Sequence, residues 1–69
     1  MKLSARNILS GKVINITEGS VNSEIVLEVA PGVELVAIVT KTSVENLDLQ
    51  VGKNAHAVIK ASNIMLATD

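Results

Sequence analysis

Three short segments of the 69-residue chain concentrate hydrogen-bond donors: Ser4-Ala5-Arg6-Asn7, Thr40-Lys41-Thr42-Ser43 and Lys60-Ala61-Ser62-Asn63. Each sets a hydroxyl beside a cation. The second stands where a helix is expected to begin, which would add unpaired backbone N–H groups and the positive end of a helix dipole. Hydroxyls, cations and unpaired amides together are the donor set of a small-anion site. The same residue types also have ordinary structural uses, since Ser and Thr cap helices and Lys coats surfaces. No one segment decides between the two readings.

Catalytic and metal chemistry has fewer candidates. The chain carries no Gly-rich phosphate loop, no nucleophile elbow and no paired histidines. Cysteine is absent, so thiolate sites and disulfides fall away together. His56, the one histidine, stands mid-strand among Ala55, Ala57 and Val58 and reads as a structural or surface residue. The acidic residues are scattered singly on polar strand faces, the usual place for solvating charge. The expectation is a binding protein, not an enzyme, with no free metal cation bound.

Charge and composition narrow the partners. Six basic residues against seven acidic ones give a formal net charge of −1, which provides no field for a polyanion. Proteins that hold single-stranded nucleic acid stack bases on aromatic rings, at about 1–3 kcal/mol per base. Here Phe, Trp and Tyr are all missing. No stretch approaches the roughly 18 apolar residues of a membrane span, and the N-terminus lacks the apolar core of a signal peptide. The expected compartment is the cytoplasm.

The elements that must position the donor segments are mostly strands, because apolar residues recur with period two. In the first strand Ile14 and Ile16 share one face, with Val13, Asn15 and Thr17 on the other, before a turn at Glu18-Gly19-Ser20. A second strand, 21–29, turns Val21, Ile25, Leu27 and Val29 one way and Asn22, Glu24 and Glu28 the other. Ala30-Pro31-Gly32 is turn punctuation. The third strand, 33–39, is apolar on both faces: Val33, Leu35, Ala37 and Val39 on one, Val36 and Ile38 on the other. Thr42 and Glu45 have capping-box spacing, and Val44 with Leu47 suggests one short amphipathic helix ended by Gly52. A fourth strand is expected at 55–61 and a fifth at 63–67. Five strands with a helix between the third and fourth is the order of an OB-type all-β barrel; a five-stranded SH3-like barrel is the competing topology.

Residues 1–69 are read as one domain, and a domain this small is marginal alone, burying only about 60% of the surface of its unfolded chain. Hydrophobic residues make up 48% of it, at a mean hydropathy of +0.43. That is more apolar surface than one small core can hide, and monomers rarely leave large apolar patches exposed. With disulfides and metal sites removed, partner chains are the remaining support.

The donor segments also carry a family resemblance. Ser4-Ala5-Arg6-Asn7 followed by Gly11-Lys12-Val13 resembles the opening of the Mop domain, the molbindin fold. Glu18 to Glu24 is similar to its first hairpin, and Val39-Thr40-Lys41-Thr42-Ser43-Val44 with Gly52-Lys53 through Lys60-Ala61-Ser62 to its helix and fourth strand. The resemblance spans essentially the whole chain. It implies an OB-type barrel assembled as a hexamer, a trimer of dimers, that holds molybdate or tungstate at subunit interfaces for intracellular storage and homeostasis. Carried over by position, Ser4, Arg6 and Lys60 of one chain would share an oxyanion with Thr40 and Ser43 across an interface. A second oxyanion site, near the threefold axis, would fall on the hairpin at Ser20, Val21 and Asn22. Ser62 stands where a family member can carry another residue, and the resemblance assigns it no role. Without the resemblance, the competing reading is an oligomeric OB or SH3-like protein-interaction module with no anion ligand.

Overall fold

In the computed structural model, which describes residues 1–69, one long strand organises the rest. Strand β1 (Asn7–Glu18) pairs antiparallel with two partners in succession. Its first half, Asn7 to Lys12, lies against β4 (Asn54–Ile59), and its second half, Lys12 to Glu18, against β2 (Asn22–Ala30). Strand β3 (Val33–Thr40) adds to the far side of β2, giving the order β3-β2-β1-β4. The sheet curls into a half-barrel with β3 and β4 as its edges. Helix α1 (Lys41–Asn46) follows β3, and a single 3-10 turn, Ala61–Asn63, follows β4. No helix is long and apolar enough to cross a membrane.

Two local features let β1 change partners. The register shifts between Val13 and Asn15, a β-bulge at Ile14 that bends the strand. Gly11 supplies the clearance, because a Cβ there would lie 2.5 Å from the Glu28 carbonyl oxygen. The bulge also corrects the expected faces of this strand. Val13, expected opposite Ile16, is fully buried, and Ile16 packs against the same core. One extra residue between them turns both inward.

The core is small. Val13, Ile25 and Leu27 are its buried members, flanked by half-buried residues that include Val39, Val44, Leu49, Ala55 and Ala57. Ser23 is buried among them, and its hydroxyl has no hydrogen-bond partner. Much of the apolar surplus stays in solvent: Val36 and Ile38 on the outer face of β3 are 63% and 62% exposed.

Strands two to four and the helix between the third and fourth stand in the expected order. Val21 differs: it precedes β2 and is exposed. The fourth strand ends at Ile59, two residues early. The expected fifth strand at 63–67 is not formed. After the 3-10 turn the chain leaves the sheet and its backbone meets no ladder, so Met65 and Leu66 are each 93% exposed. These residues alone form four strands and an open half-barrel.

Candidate anion-binding site

The pairing of β1 with β4 brings two of the three donor segments together. Asn7 stands opposite Ile59, so Ser4–Arg6, entering β1, run beside Lys60–Ser62, leaving β4. Between them lies a cleft of about 490 Å³ lined by Ser4, Arg6, Lys60 and Ser62, with Ala5, Val58 and Ala61 as its apolar wall. No carboxylate lines it. Neither Arg6 nor Lys60 has an ion-pair partner, since the one salt bridge of the chain joins Lys53 to Asp48. No side chain caps the turn that follows Lys60, and the N–H groups of Ala61 and Ser62 have no acceptor within the chain. The cleft therefore offers two unpaired cations, two hydroxyls and two backbone amides.

Val58 is the part of this cleft that donor-counting misses. Its signal is strand parity: Val58 and Lys60 are two residues apart, so an extended chain sends both to one face.

Thr40 and Ser43 do not line the cleft. They form the N-terminus of α1, where Thr40 is the cap: its Oγ1 accepts from the Ser43 N–H at 3.0 Å. The Thr40 hydroxyl then donates to Ser43 Oγ at 2.8 Å. The expected capping pair, Thr42 with Glu45, is displaced by two residues. The β2–β3 ladder ends at Thr40, opposite Asn22, which fixes Thr40 as the last extended residue. The amides of this turn are less free than expected. Lys41 N–H donates to the Val21 carbonyl and Ser43 N–H to Thr40, leaving that of Thr42 unpaired.

The Ser20–Asn22 hairpin sits at the same end of the sheet, tied to α1 through that Lys41–Val21 bond of 2.9 Å. Its carbonyls at Val21 and Asn22 are used, the latter by Gly19 N–H at 2.9 Å. The N–H groups of Ser20 and Val21 find no acceptor in the chain.

Other polar groups are arranged differently. His56 Nδ1 lies 2.8 Å from Ser10 Oγ across the β1–β4 pair, exposed, with no carboxylate on that hydrogen bond. No three His, Asp or Glu side chains converge where a metal ion could sit. Asp48, at φ 51° after α1, accepts from Lys53 Nζ and from Gln50 Nε2. The hydrogen bond from Lys53, then that from Gln50, then the Lys53 charge hold its carboxyl below the ordinary aspartate range.

Fold and cleft together define a class: a small curled β domain that presents cations and hydrogen-bond donors, with no acidic side chain, at an open cleft. The chain belongs to the TOBE-domain family, which matches residues 3–66. It is 44% identical, over the whole length of both chains, to a Haemophilus influenzae protein named as a probable molybdenum-pterin-binding protein. Its structure is similar to that of a molybdate-binding protein from Sporomusa ovata, at a TM-score of 0.91 and 40% identity, covering 99% of this chain and 100% of that one. It is also similar to the cytoplasmic molybdate-binding protein ModG with molybdate bound, at a TM-score of 0.90 and 49% identity. That match covers 94% of this chain and 46% of ModG, so this chain spans about half of ModG. These relatives bear out the resemblance to Mop-domain proteins read from the sequence.

Proposed function

We propose that the protein binds molybdate or tungstate in sites shared between copies of the chain and serves as an intracellular reserve of the oxyanion in the cytoplasm. The observation that carries this reading is the meeting of Arg6 and Lys60, both free of carboxylates, at a cleft whose other polar members are donors. Relatives named for binding molybdenum or molybdate support the choice of anion.

The chemistry of the donor set explains the preference. Molybdate and tungstate are fully deprotonated dianions at neutral pH and accept hydrogen bonds only. Hydrogen phosphate retains a proton, and no carboxylate lines the cleft to accept it; a serine hydroxyl can accept it only by turning its oxygen rather than its proton to the anion. Sulfate passes this filter but is smaller, so its oxygens reach fewer donors at once.

The cleft is open to solvent, and a second copy supplies what closes it. Thr40 and Ser43 of a neighbouring chain complete the ring of donors around Ser4, Arg6 and Lys60. The hairpin amides at Ser20 and Val21, with Asn22, form the second site where copies meet. The same association completes the barrel. An apolar trough of about 320 Å³, lined by residues such as Leu27, Leu35, Val39, Leu47 and Ala57, lies uncovered on the inner face of the sheet. Met65 and Leu66 project from the chain with nothing to cover them, and Ile64 is half exposed. In this reading the tail of one copy serves as the fifth strand of another, giving an OB-type barrel and, by repetition, a hexamer built as a trimer of dimers.

A thermal-shift series with molybdate, tungstate, sulfate and phosphate at matched ionic strength tests the function. A ligand bound only to the native assembly at 100 times its Kd adds about 2.7 kcal/mol per site. Molybdate and tungstate are expected to raise Tm most, sulfate less, and phosphate little. Equal shifts from all four would reduce the cleft to a generic basic surface and reject the proposal.

A further inference from the structure

We infer that Ser62 is an additional ligand of the bound oxyanion in this chain, donating from the turn that follows β4; the inference rests on the oxyanion reading above. Ser62 lines the same cleft as Ser4, Arg6 and Lys60, and neither its hydroxyl nor its N–H has a partner in the chain. The turn that carries it is held by two backbone hydrogen bonds, Asn63 N–H to the Lys60 carbonyl at 2.9 Å and Ile64 N–H to the Ala61 carbonyl at 3.3 Å. Those bonds fix Ser62 relative to Lys60, so cation and hydroxyl arrive at the cleft as one unit. The neighbouring position, Ala61, has no side-chain donor, and Ser4 is the only other hydroxyl in the lining. A tetrahedral dianion presents four oxygens, each able to accept more than one hydrogen bond. Ser62 is the donor already in place to take another.

Ser62 is exposed and bonded to nothing, so removing its hydroxyl leaves the fold untouched. Calorimetric titration of the intact assembly with molybdate, for the parent, Ser62→Ala and Ser62→Thr, tests the role. A hydrogen bond to a charged group corresponds to about tenfold or more in affinity. Ser62→Ala is expected to bind about tenfold more weakly and Ser62→Thr close to the parent. The assembly mass and the ligand-free Tm should be the same in all three. A parent that binds molybdate while Ser62→Ala binds within about twofold of it overturns the inference and leaves the proposed function standing. So does a ligand-free Tm that falls in Ser62→Ala, because the hydroxyl would then be structural. A parent that binds no molybdate overturns the function itself.

Discussion

Thr40 and Ser43 are joined twice: Ser43 N–H donates to Thr40 Oγ1 at 3.0 Å, and the Thr40 hydroxyl donates to Ser43 Oγ at 2.8 Å. The pair holds the two hydroxyls 2.8 Å apart, so they would reach a shared site together, and the cap holds Ser43 in place. Thr40→Val should lose the cap, at about 0.5–2 kcal/mol of stability, and weaken molybdate binding through misplacement of Ser43. Thr40→Ser should restore both. Ser43→Ala should weaken binding while keeping the oxygen of the cap. Denaturant titration and calorimetry on the three variants separate these effects. Equal loss of stability from Thr40→Val and Thr40→Ser would count against the capping role.

Arg6 and Lys60 give the largest expected effect on binding. Each is an unpaired cation at the cleft, and a hydrogen bond to a charged partner contributes about 1.5–3 kcal/mol. Arg6→Ala and Lys60→Ala should each weaken molybdate more than tenfold by calorimetry, by the same approximate measure. Neither should lower the ligand-free Tm, because neither side chain has an ion-pair partner to lose. Parent-like affinity in both would remove the site assignment.

Gly11 tests the geometry that puts those cations together. A Cβ at this position would meet the Glu28 carbonyl oxygen at 2.5 Å and Leu27 Cγ at 3.0 Å, so β1 and β2 would have to separate. Gly11→Ala should destabilise the fold by about 1–3 kcal/mol, the usual range for overpacking. At Gly32 a Cβ meets nothing, although φ is +74°. Gly32→Ala should cost about 1–2 kcal/mol through the left-handed backbone alone. Urea titration of Gly11→Asn and Gly32→Asn beside the alanine variants tells contact from backbone strain: Asn, which tolerates positive φ, should cost less than Ala at Gly32 and no less at Gly11.

Much of the fold was legible because β2 alternates almost without a break and β3 is a bounded apolar run. Ile25, Leu27 and Val29 could share only one face, and Pro31-Gly32 could only turn the chain. The bulge at Ile14 left no such trace. Val13, Ile14 and Ile16 are all apolar, so the pattern fits either face, and only pairing with β2 decides. The helix cap is ambiguous in sequence for a related reason. Thr40 and Thr42 both suit a cap, and the choice is made by where the β2–β3 ladder ends. Residues 63–67 show a different limit. Their apolar content reports that the segment is to be buried, but not by which chain. At the cleft, Ser4 and Arg6 are far from Lys60 in sequence. Their residue types suggested an anion, yet only the antiparallel pairing of β1 with β4 makes them neighbours.

Asp48 links pH to the loop that leads into β4. Its carboxyl is held below the ordinary range, chiefly by the hydrogen bond from Lys53 and then by that from Gln50. A depressed folded-state value means that the charged form is favoured on folding. The stabilisation is present above the unfolded-state value and is lost as pH falls through the folded one. The group is exposed and screened by solvent, so the effect is small. Asp48→Asn keeps a residue that tolerates the positive φ and removes the charge. Between about pH 6 and pH 3 the parent should lose slightly more Tm than this variant. A steeper loss in Asp48→Asn would reverse the sign and refute the linkage.

The C-terminal tail tests the assembly. Met65 and Leu66 are each 93% exposed within one chain, so replacing both with Asp should leave an isolated chain nearly unchanged. If the tail of one copy fills the trough of another, the same change buries two charges against Leu27, Leu35 and Val39. An unpaired buried charge is costly enough to prevent that contact. The Met65→Asp, Leu66→Asp double variant should therefore sediment as a smaller species at micromolar concentration, where the parent is expected to sediment as a hexamer. It should also lose molybdate binding although Ser4, Arg6 and Lys60 are intact, because in the proposed assembly Thr40 and Ser43 come from a neighbouring copy. Raising the protein concentration should recover mass and binding together. A double variant that keeps the parent's mass would show that the tail is not what joins the chains. A variant that falls to a monomer yet binds molybdate with parent affinity would show that one chain completes the site alone.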